Sequence, residues 1–270
     1  KNFQWSSGFN ISFNKNKVVN LGEGEEIFSN AGGRGNVSIT RVGHPIGSFY
    51  GHVYEGIFLT QTDLDNHAIQ NGAKLGDIKF KDVDGNGVIN DLDRDIIGSP
   101  HPRFYYGLNN SLTYKNWSFN LLVNGSQGND VFWAGANFVY GFHGVQNQLA
   151  KAYENRYVSP DNPGDGKSPR MIRGGLNNNL RYSSFFNFNG AYLRIRSATI
   201  NFNIPQTIAK KAGLEAGRLY LSGTNLFTFT KYPGYDPESN HAGDDMRAAG
   251  IDYAGYPAAR TFTLGLSITF

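Results

Sequence analysis

The chain has 270 residues, with 34 glycines and 14% aromatic residues but only 17% charged ones, where an ordinary soluble domain carries roughly 25%. A net charge of +3 is too small to argue for nucleic acid or an anionic surface, and the lack of cysteine excludes disulfides and thiolate metal sites. No run approaches the ~18 apolar residues of a membrane helix, which leaves open a membrane barrel, whose strands give only a weak alternating signal.

The sequence starts at Lys1, inside a strand-like stretch and without an initiator Met, so a C-terminal piece of a longer protein is expected. Phe3, Trp5, Phe9, Ile11 and Phe13 alternate with Gln4, Ser6, Gly8, Asn10 and Ser12, which predicts a strand over 3–13. Residues 14–17 predict a short turn, and Val18, Val19 and Leu21 an apolar return strand. The Gly-rich stretch 22–102 is a long connection with strands inside 46–58 and 77–81, and a connection of that length carries function or structure of its own. Alternation resumes over 104–114 and 117–126, joined by the two-residue turn Lys115-Asn116. A second long connection, 127–188, holds a short helix within 146–157. In 192–204 the parity breaks: Leu193 and Ile195 share one face, whereas Ala198, Ile200, Phe202 and Ile204 take the other parity. Either a bulge near Ser197 resets the register or the Arg194/Arg196 end lies outside the apolar zone. Residues 205–217 predict a helical turn, 219–230 a strand, 231–260 a third long loop, and 262–270 a strand of strict alternation ending on Phe270.

The stretches 3–13, 104–114, 117–126, 219–230 and 262–270 contain no Asp, Glu, Lys or Arg. Soluble sheets usually place charge on their solvent-facing strands, whereas hydrocarbon cannot solvate it. Aromatic residues gather at strand ends, as in interfacial girdles. Short connections alternate with long ones, as in barrels with short periplasmic turns and long extracellular loops. The expected fold is therefore all-β, a portion of a large antiparallel transmembrane β-barrel. About seven strands follow, those near 3, 104, 188 and 260 running inward and those near 17, 117 and 218 outward, with further strands needed to close the barrel. A secreted β-sandwich with uncharged strands is the competing reading.

One chemical motif stands out. Asp82, Asp84, Asn86 and Asp93 occupy loop positions 1, 3, 5 and 12 of an EF-hand ligand pattern, with Gly87 at the sharp turn, the Val88 carbonyl at 7 and Asn90 at 9. Hard oxygen ligands at this spacing suit calcium, or magnesium. Position 12 is Asp rather than Glu, one methylene shorter, and a strand rather than a helix precedes the loop, so a structural clip is expected. A metal-free Asx/Gly turn is the alternative. Gly166-Lys167-Ser168 lacks the earlier glycine and the strand–helix setting of a phosphate loop. His44, His52, His67, His101, His143 and His241 show no metal-binding spacing, and Asp244-Asp245 sits in a loop. No catalytic constellation emerges, and no enzyme is expected.

Several stretches resemble the SusC/RagA family of TonB-linked outer-membrane transporters. They include Gly76-Asp-Ile-Lys-Phe-Lys-Asp-Val-Asp-Gly-Asn-Gly87, Ile97-Gly-Ser-Pro-His-Pro102, Pro45-Ile-Gly-Ser-Phe-Tyr-Gly51 and Gly125-Ser-Gln-Gly-Asn-Asp130. Tyr192-Leu-Arg-Ile-Arg196, Gly234-Tyr-Asp-Pro-Glu238 and the terminal Arg260-Thr-Phe-Thr-Leu-Gly265 extend the likeness over nearly the whole chain. The resemblance implies the last third of a 22-stranded barrel in the outer membrane of a Gram-negative bacterium. It also implies TonB-driven import of oligosaccharides or peptides and a SusD-like surface lipoprotein over the mouth, with plug and TonB contact upstream. A passive porin and a calcium-stabilised secreted adhesin are the rival functions. Trp133, Phe138, Tyr140, Tyr235 and Tyr253 are candidates for stacking on substrate, with loop packing as the alternative role.

Overall fold

The computed structural model describes residues 3–30, 35–142, 144, 146–173 and 178–270. In chain order the strands are β1 (Phe3–Phe13), β2 (Glu26–Asn30), β3 (Asn36–Arg41), β4 (Ser48–His52), β5 (Tyr54–Ile57), β6 (Ile78–Phe80), β7 (Arg94–Gly98) and β8 (Phe104–Tyr114). They continue with β9 (Trp117–Gln127), β10 (Asp130–Trp133), β11 (Asn187–Asn189), β12 (Tyr192–Asn203), β13 (Ala216–Thr230), β14 (Ile251–Asp252) and β15 (Thr261–Thr269). The helices are short: α1 (Gln61–Asp65), α2 (Ala136–Val139), α3 (Ala150–Asn155) and α4 (Gln206–Lys211). No helix among the described residues is long and apolar enough to cross a membrane, which says nothing of crossing by strands.

The long alternating stretches pair into one antiparallel sheet in the order β1-β8-β9-β12-β13-β15. Its register turns the sequence alternation into two unlike faces. One row runs Trp5, Leu112, Phe119, Ile200, Leu221 and Leu264 across all six strands. The adjacent row, one residue along and so on the other face, runs Ser6, Ser111, Asn120, Thr199, Ser222 and Thr263. The apolar row is uncovered, with Trp5 66% and Leu264 72% exposed. A β-sandwich would bury that face under a second sheet, and leaving it in water would forgo about 1.5–3 kcal/mol per large side chain. On the polar face the Tyr220 ring fills the space above Gly265, where a Cβ would come within 2.1 Å of it.

The direction of β1 corrects the sequence reading. Phe13 pairs with Phe104 and Phe3 with Tyr114, so β1 is the direct antiparallel neighbour of β8. Residues 14–103 are therefore one long connection on the same side as 128–191 and 231–260, and β1 runs outward rather than inward. The expected return strand at Val18–Leu21 does not form, because Val18 bonds through both backbone groups to Gly43 and His44 in the loop. Six strands span the sheet instead of seven. At the opposite rim the connections are short: Lys115-Asn116, with Lys115 at φ +51°, and the segment carrying α4.

The parity break in β12 is a true bulge. The register shifts between Ile195 and Ser197 against both β9 and β13, leaving Arg196 as the extra residue against β9. On the β13 side the irregularity is taken up around Asn225, at φ +51°.

The three long connections fold together into a body above the sheet. It contains the sheets β2-β3-β4-β7, β5-β6 and β11-β10-β14. Its main core joins Val37 and Phe49 of the first connection, Phe132, Phe142 and Phe186 of the second, and Tyr232, Ala248 and Ile251 of the third. A bidentate pair between Arg170 and the buried Asp77, at 2.7 and 3.2 Å, fastens the second connection to the first.

Candidate functional site

Two parts of this outer body carry chemistry. The first is the 82–93 loop, set between β6 and β7. Gly85 and Gly87 take φ of +74° and +81°, a turn that side chains resist. Asp82 accepts from the Gly85 and Gly87 N–H groups, each at 2.8 Å. Asp84 accepts from Asn86 N–H at 3.1 Å, and Asn86 Oδ1 from Val88 N–H at 2.8 Å. Asn90 caps the following turn by accepting from Leu92 N–H, and its Nδ2 donates to the Val88 carbonyl at 3.1 Å. Asp93, fully buried, accepts from Val83 N–H at 2.8 Å and Asn90 N–H at 2.7 Å. The loop is pinned from below: Ile69 bonds Gly87 and Ile89 through the backbone, and Ile89 packs with Ile78 and Phe80.

Carboxylate oxygens of Asp82, Asp84 and Asp93 lie within 4.8 Å of one another. Among the described residues none of the three forms an ion pair; the charge of Arg181 reaches Asp93 only at longer range. The N–H of Gly87, helped by those of Gly85 and Asn86, holds the Asp82 carboxyl below the usual carboxylate range despite some desolvation. Three anionic oxygens held together without a cationic side chain fit a hard divalent cation. Asp82 and Asp93 each give both oxygens to backbone donors, and Asp84 accepts from the backbone and side-chain N–H groups of Asn86, so the loop's own hydrogen bonds orient all three carboxylates.

The second part is a charged knot between the sheet and the third connection, which the sequence reading did not assign. Arg194, 2% exposed in β12, meets Asp236 through Nη2 at 2.6 Å and Glu238 through Nη1 at 2.5 Å, while its Nε donates to Thr228 at 2.9 Å. Arg196, displaced by the bulge, holds both oxygens of Glu238 at 2.8 and 3.0 Å, and the Tyr192 hydroxyl donates to the same carboxylate at 2.6 Å. Burial alone would raise the Asp236 carboxyl, but the Arg194 guanidinium and the Glu238 and Ala258 N–H groups hold it below the ordinary range. A few residues away Asp252 accepts from the Tyr232 and Ser239 hydroxyls at 2.5 and 2.9 Å. Burial, then the Asp252 carboxylate, raises the Tyr232 phenol above its usual value. The available signal was the pair of arginines inside a strand, in a sheet whose other strands are nearly free of charge.

The aromatic candidates divide. Trp133 is buried, with Phe188, Tyr232 and Tyr140 rings at 6.0, 6.1 and 6.2 Å. Tyr140 also packs on Phe185 at 5.4 Å, and Phe138 on Tyr253 at 6.2 Å. These four are brought together as part of the core and its margin. Tyr235 stands apart, 78% exposed, on a cavity of about 350 Å³ shared with Arg194, Asn225, Asp236 and Arg260. His143 lies outside the described residues.

The arrangement matches known proteins along its full length. The chain is 37% identical to TonB-dependent receptor P3 of Formosa agariphila over 279 residues, covering 100% of this chain and 27% of that protein. It is 30% identical to TonB-dependent receptor SusC of Bacteroides thetaiotaomicron over 281 residues, covering 100% of this chain and 25% of SusC. The chain belongs to the SusC/RagA family of TonB-dependent receptors. It represents a C-terminal part of the family's barrel and spans about a quarter of the length of the curated relatives it matches. No family model matches the sequence. A solved structure of the RagAB peptide transporter superposes with TM-score 0.75 at 18% identity, over 100% of this chain and 27% of that one. The RagAB peptide importer in its 'open-open' state gives 0.74 at 17% identity. For this SusC/RagA-family chain the six-stranded sheet is thus a section of a barrel wall, its apolar row facing lipid and its polar row the lumen. The knot around Arg194 then ties a loop to the lumen side of that wall.

Proposed function

We propose that the protein works in active import across the outer membrane of a Gram-negative bacterium. Oligosaccharides or peptides are the cargo, TonB is the energy source and a SusD-like surface lipoprotein is the lid. The observation that carries this reading is the membership of the whole chain in the SusC/RagA family together with a wall whose two faces suit lipid and a hydrated lumen. In this scheme the outer body meets the lipoprotein, and Tyr235, exposed beside Arg194 and Arg260, is the best placed of the aromatic candidates to stack on cargo. The test is uptake of labelled oligosaccharides and peptides by cells with and without energy coupling. Uptake should vanish without TonB or the proton gradient; uptake that persists identifies a passive porin. Co-purification of a surface lipoprotein with the intact protein tests the partner.

A second element of the proposal is calcium, or magnesium, at Asp82, Asp84, Asn86, the Val88 carbonyl, Asn90 and Asp93. The metal would neutralise converging carboxylates and stiffen a surface loop; it takes no part in a reaction. Terbium luminescence on the intact protein, lost on adding calcium, checks occupancy. No signal at millimolar terbium would mark a metal-free turn.

A further inference from the structure

The rim where β1 ends and β8 begins holds a feature that the import reading does not use. Phe13 and Phe104 pair there on the lipid face, ring centroids 5.7 Å apart, as aromatic residues do at the edge of the hydrocarbon. Just beyond them opens a groove of about 770 Å³ whose lining includes Phe13, Lys15, Lys17, His101 and Arg103 and no carboxylate. Lys15 and Lys17 keep the outward side of the chain. Asn16 turns inward, its Oδ1 accepting from Ile46 N–H at 2.9 Å, and Val18 N–H donates to His44 at 2.9 Å, so the two lysines stay exposed between anchored neighbours. The His101 ring is committed to the Ile46 carbonyl at 2.7 Å. Among the described residues Lys15, Lys17 and Arg103 form no ion pair. The carboxylate whose field Arg103 shares, Asp130, is already bonded by Ser99 N–H at 3.1 Å.

We propose that this groove binds the phosphate headgroup of an anionic lipid of the outer leaflet, with Lys15, Lys17 and Arg103 as ligands and Phe13 against the lipid chains. The long connections mark this rim as the extracellular one. Extended chain rises about 3.3 Å per residue, so Lys15 stands roughly 7 Å beyond Phe13, at headgroup depth. Lysine and arginine suit that depth because their stems lie on apolar surface while their heads reach phosphate oxygens. Three cations beside an aromatic ring, with no acid in the groove lining and only Asp130 in the field of Arg103, complement a phosphorylated amphiphile better than a neutral one.

The inference rests on the outer-membrane reading, and the experiment separates the two. The intact protein, purified in detergent, is titrated with lipid A, with phosphatidylcholine and with inorganic phosphate, and bound copies are counted by native mass spectrometry. Wild type should retain lipid A in preference to phosphatidylcholine. Each charge removed should weaken lipid A binding roughly five-fold, so the K15Q/K17Q/R103Q variant should lose about 100-fold and K17Q alone a measurable part of that. The K210Q/K211Q variant, at the opposite rim, should bind as wild type. Unchanged lipid A binding in the triple variant overturns the proposal. So does inorganic phosphate displacing lipid A at equal concentration, which would make the groove a free-anion site. Absence of the wild-type protein from the outer-membrane fraction would instead sink the import reading.

Discussion

At the scale of single residues, buried charge decides more than surface charge. Arg194 is enclosed with Asp236 and Glu238 around it, and removing one member of such a group strands the others, at a cost of roughly 3–5 kcal/mol. Arg194→Ala should therefore free the 231–260 loop, seen as faster backbone hydrogen exchange there while β13 and β15 stay protected. Arg194→Lys should recover only part of the protection, because an ammonium cannot span both carboxylates as the guanidinium fork does. His52 sets a pH dependence. Burial, then the charges of Arg181 and Arg94, lower its pKa to about 4 from 6.5. The unfolded imidazole thus takes up a proton first, and the outer body should lose stability as pH falls from about 6.5 toward 4, by up to about 1.4 kcal/mol per unit. Above 6.5 the contribution is constant. Protease sensitivity of residues 14–103 at pH 7 and pH 5 checks this, and a His52→Gln variant should flatten the difference. If the 82–93 loop holds the proposed cation, Asp84→Asn should weaken its binding with little harm to the fold, since Asp84 is exposed and Asp93 is not; terbium titration reads it.

At the scale of elements, the two faces of each strand make opposite demands. Leu266→Arg puts a charge on the lipid side near the middle of β15, where it should cost about 2–4 kcal/mol. Thr263→Arg, on the lumen side, should cost much less. Heat-modifiable gel mobility of the assembled barrel distinguishes them. Much of this was legible beforehand: Phe3–Phe13 and Phe104–Tyr114 have the predicted bounds, and the parity break in β12 is the bulge at Arg196. Alternation is local, so it survives without tertiary context. What misled was also local. Asn14-Lys15-Asn16-Lys17 has the composition of a turn, and Val18, Val19 and Leu21 that of a strand, yet backbone bonds from Val18 to Gly43 and His44 override both. Chain direction is a long-range property, and only the Phe13–Phe104 pairing reveals it for β1. The Arg194 knot was illegible for the same reason: its carboxylates lie more than forty residues away, and no spacing rule links them. The convergence of Asp82, Asp84 and Asp93 was legible, because all three carboxylates belong to one short loop.

At the scale of the whole molecule, the sheet ends in two edges, since β1 and β15 each pair on one side only. Unpaired edges beside an uncovered apolar face favour association. The chain produced by itself in detergent should therefore aggregate or stay unfolded, whereas the longer protein should give a heat-modifiable barrel; a stable monomer of the 270 residues would contradict this. The body above the sheet has a different consequence. Its core draws on all three long connections at once, and those connections leave from β1, β9 and β13 and return to β8, β12 and β15. Every strand of the wall thus ends in the same block of packed side chains. Such a block acts as a lever rather than as three independent flaps: a push on any one connection is felt at six strand ends, and the hinge for any outward swing must lie at the strand tips or beyond this section of wall.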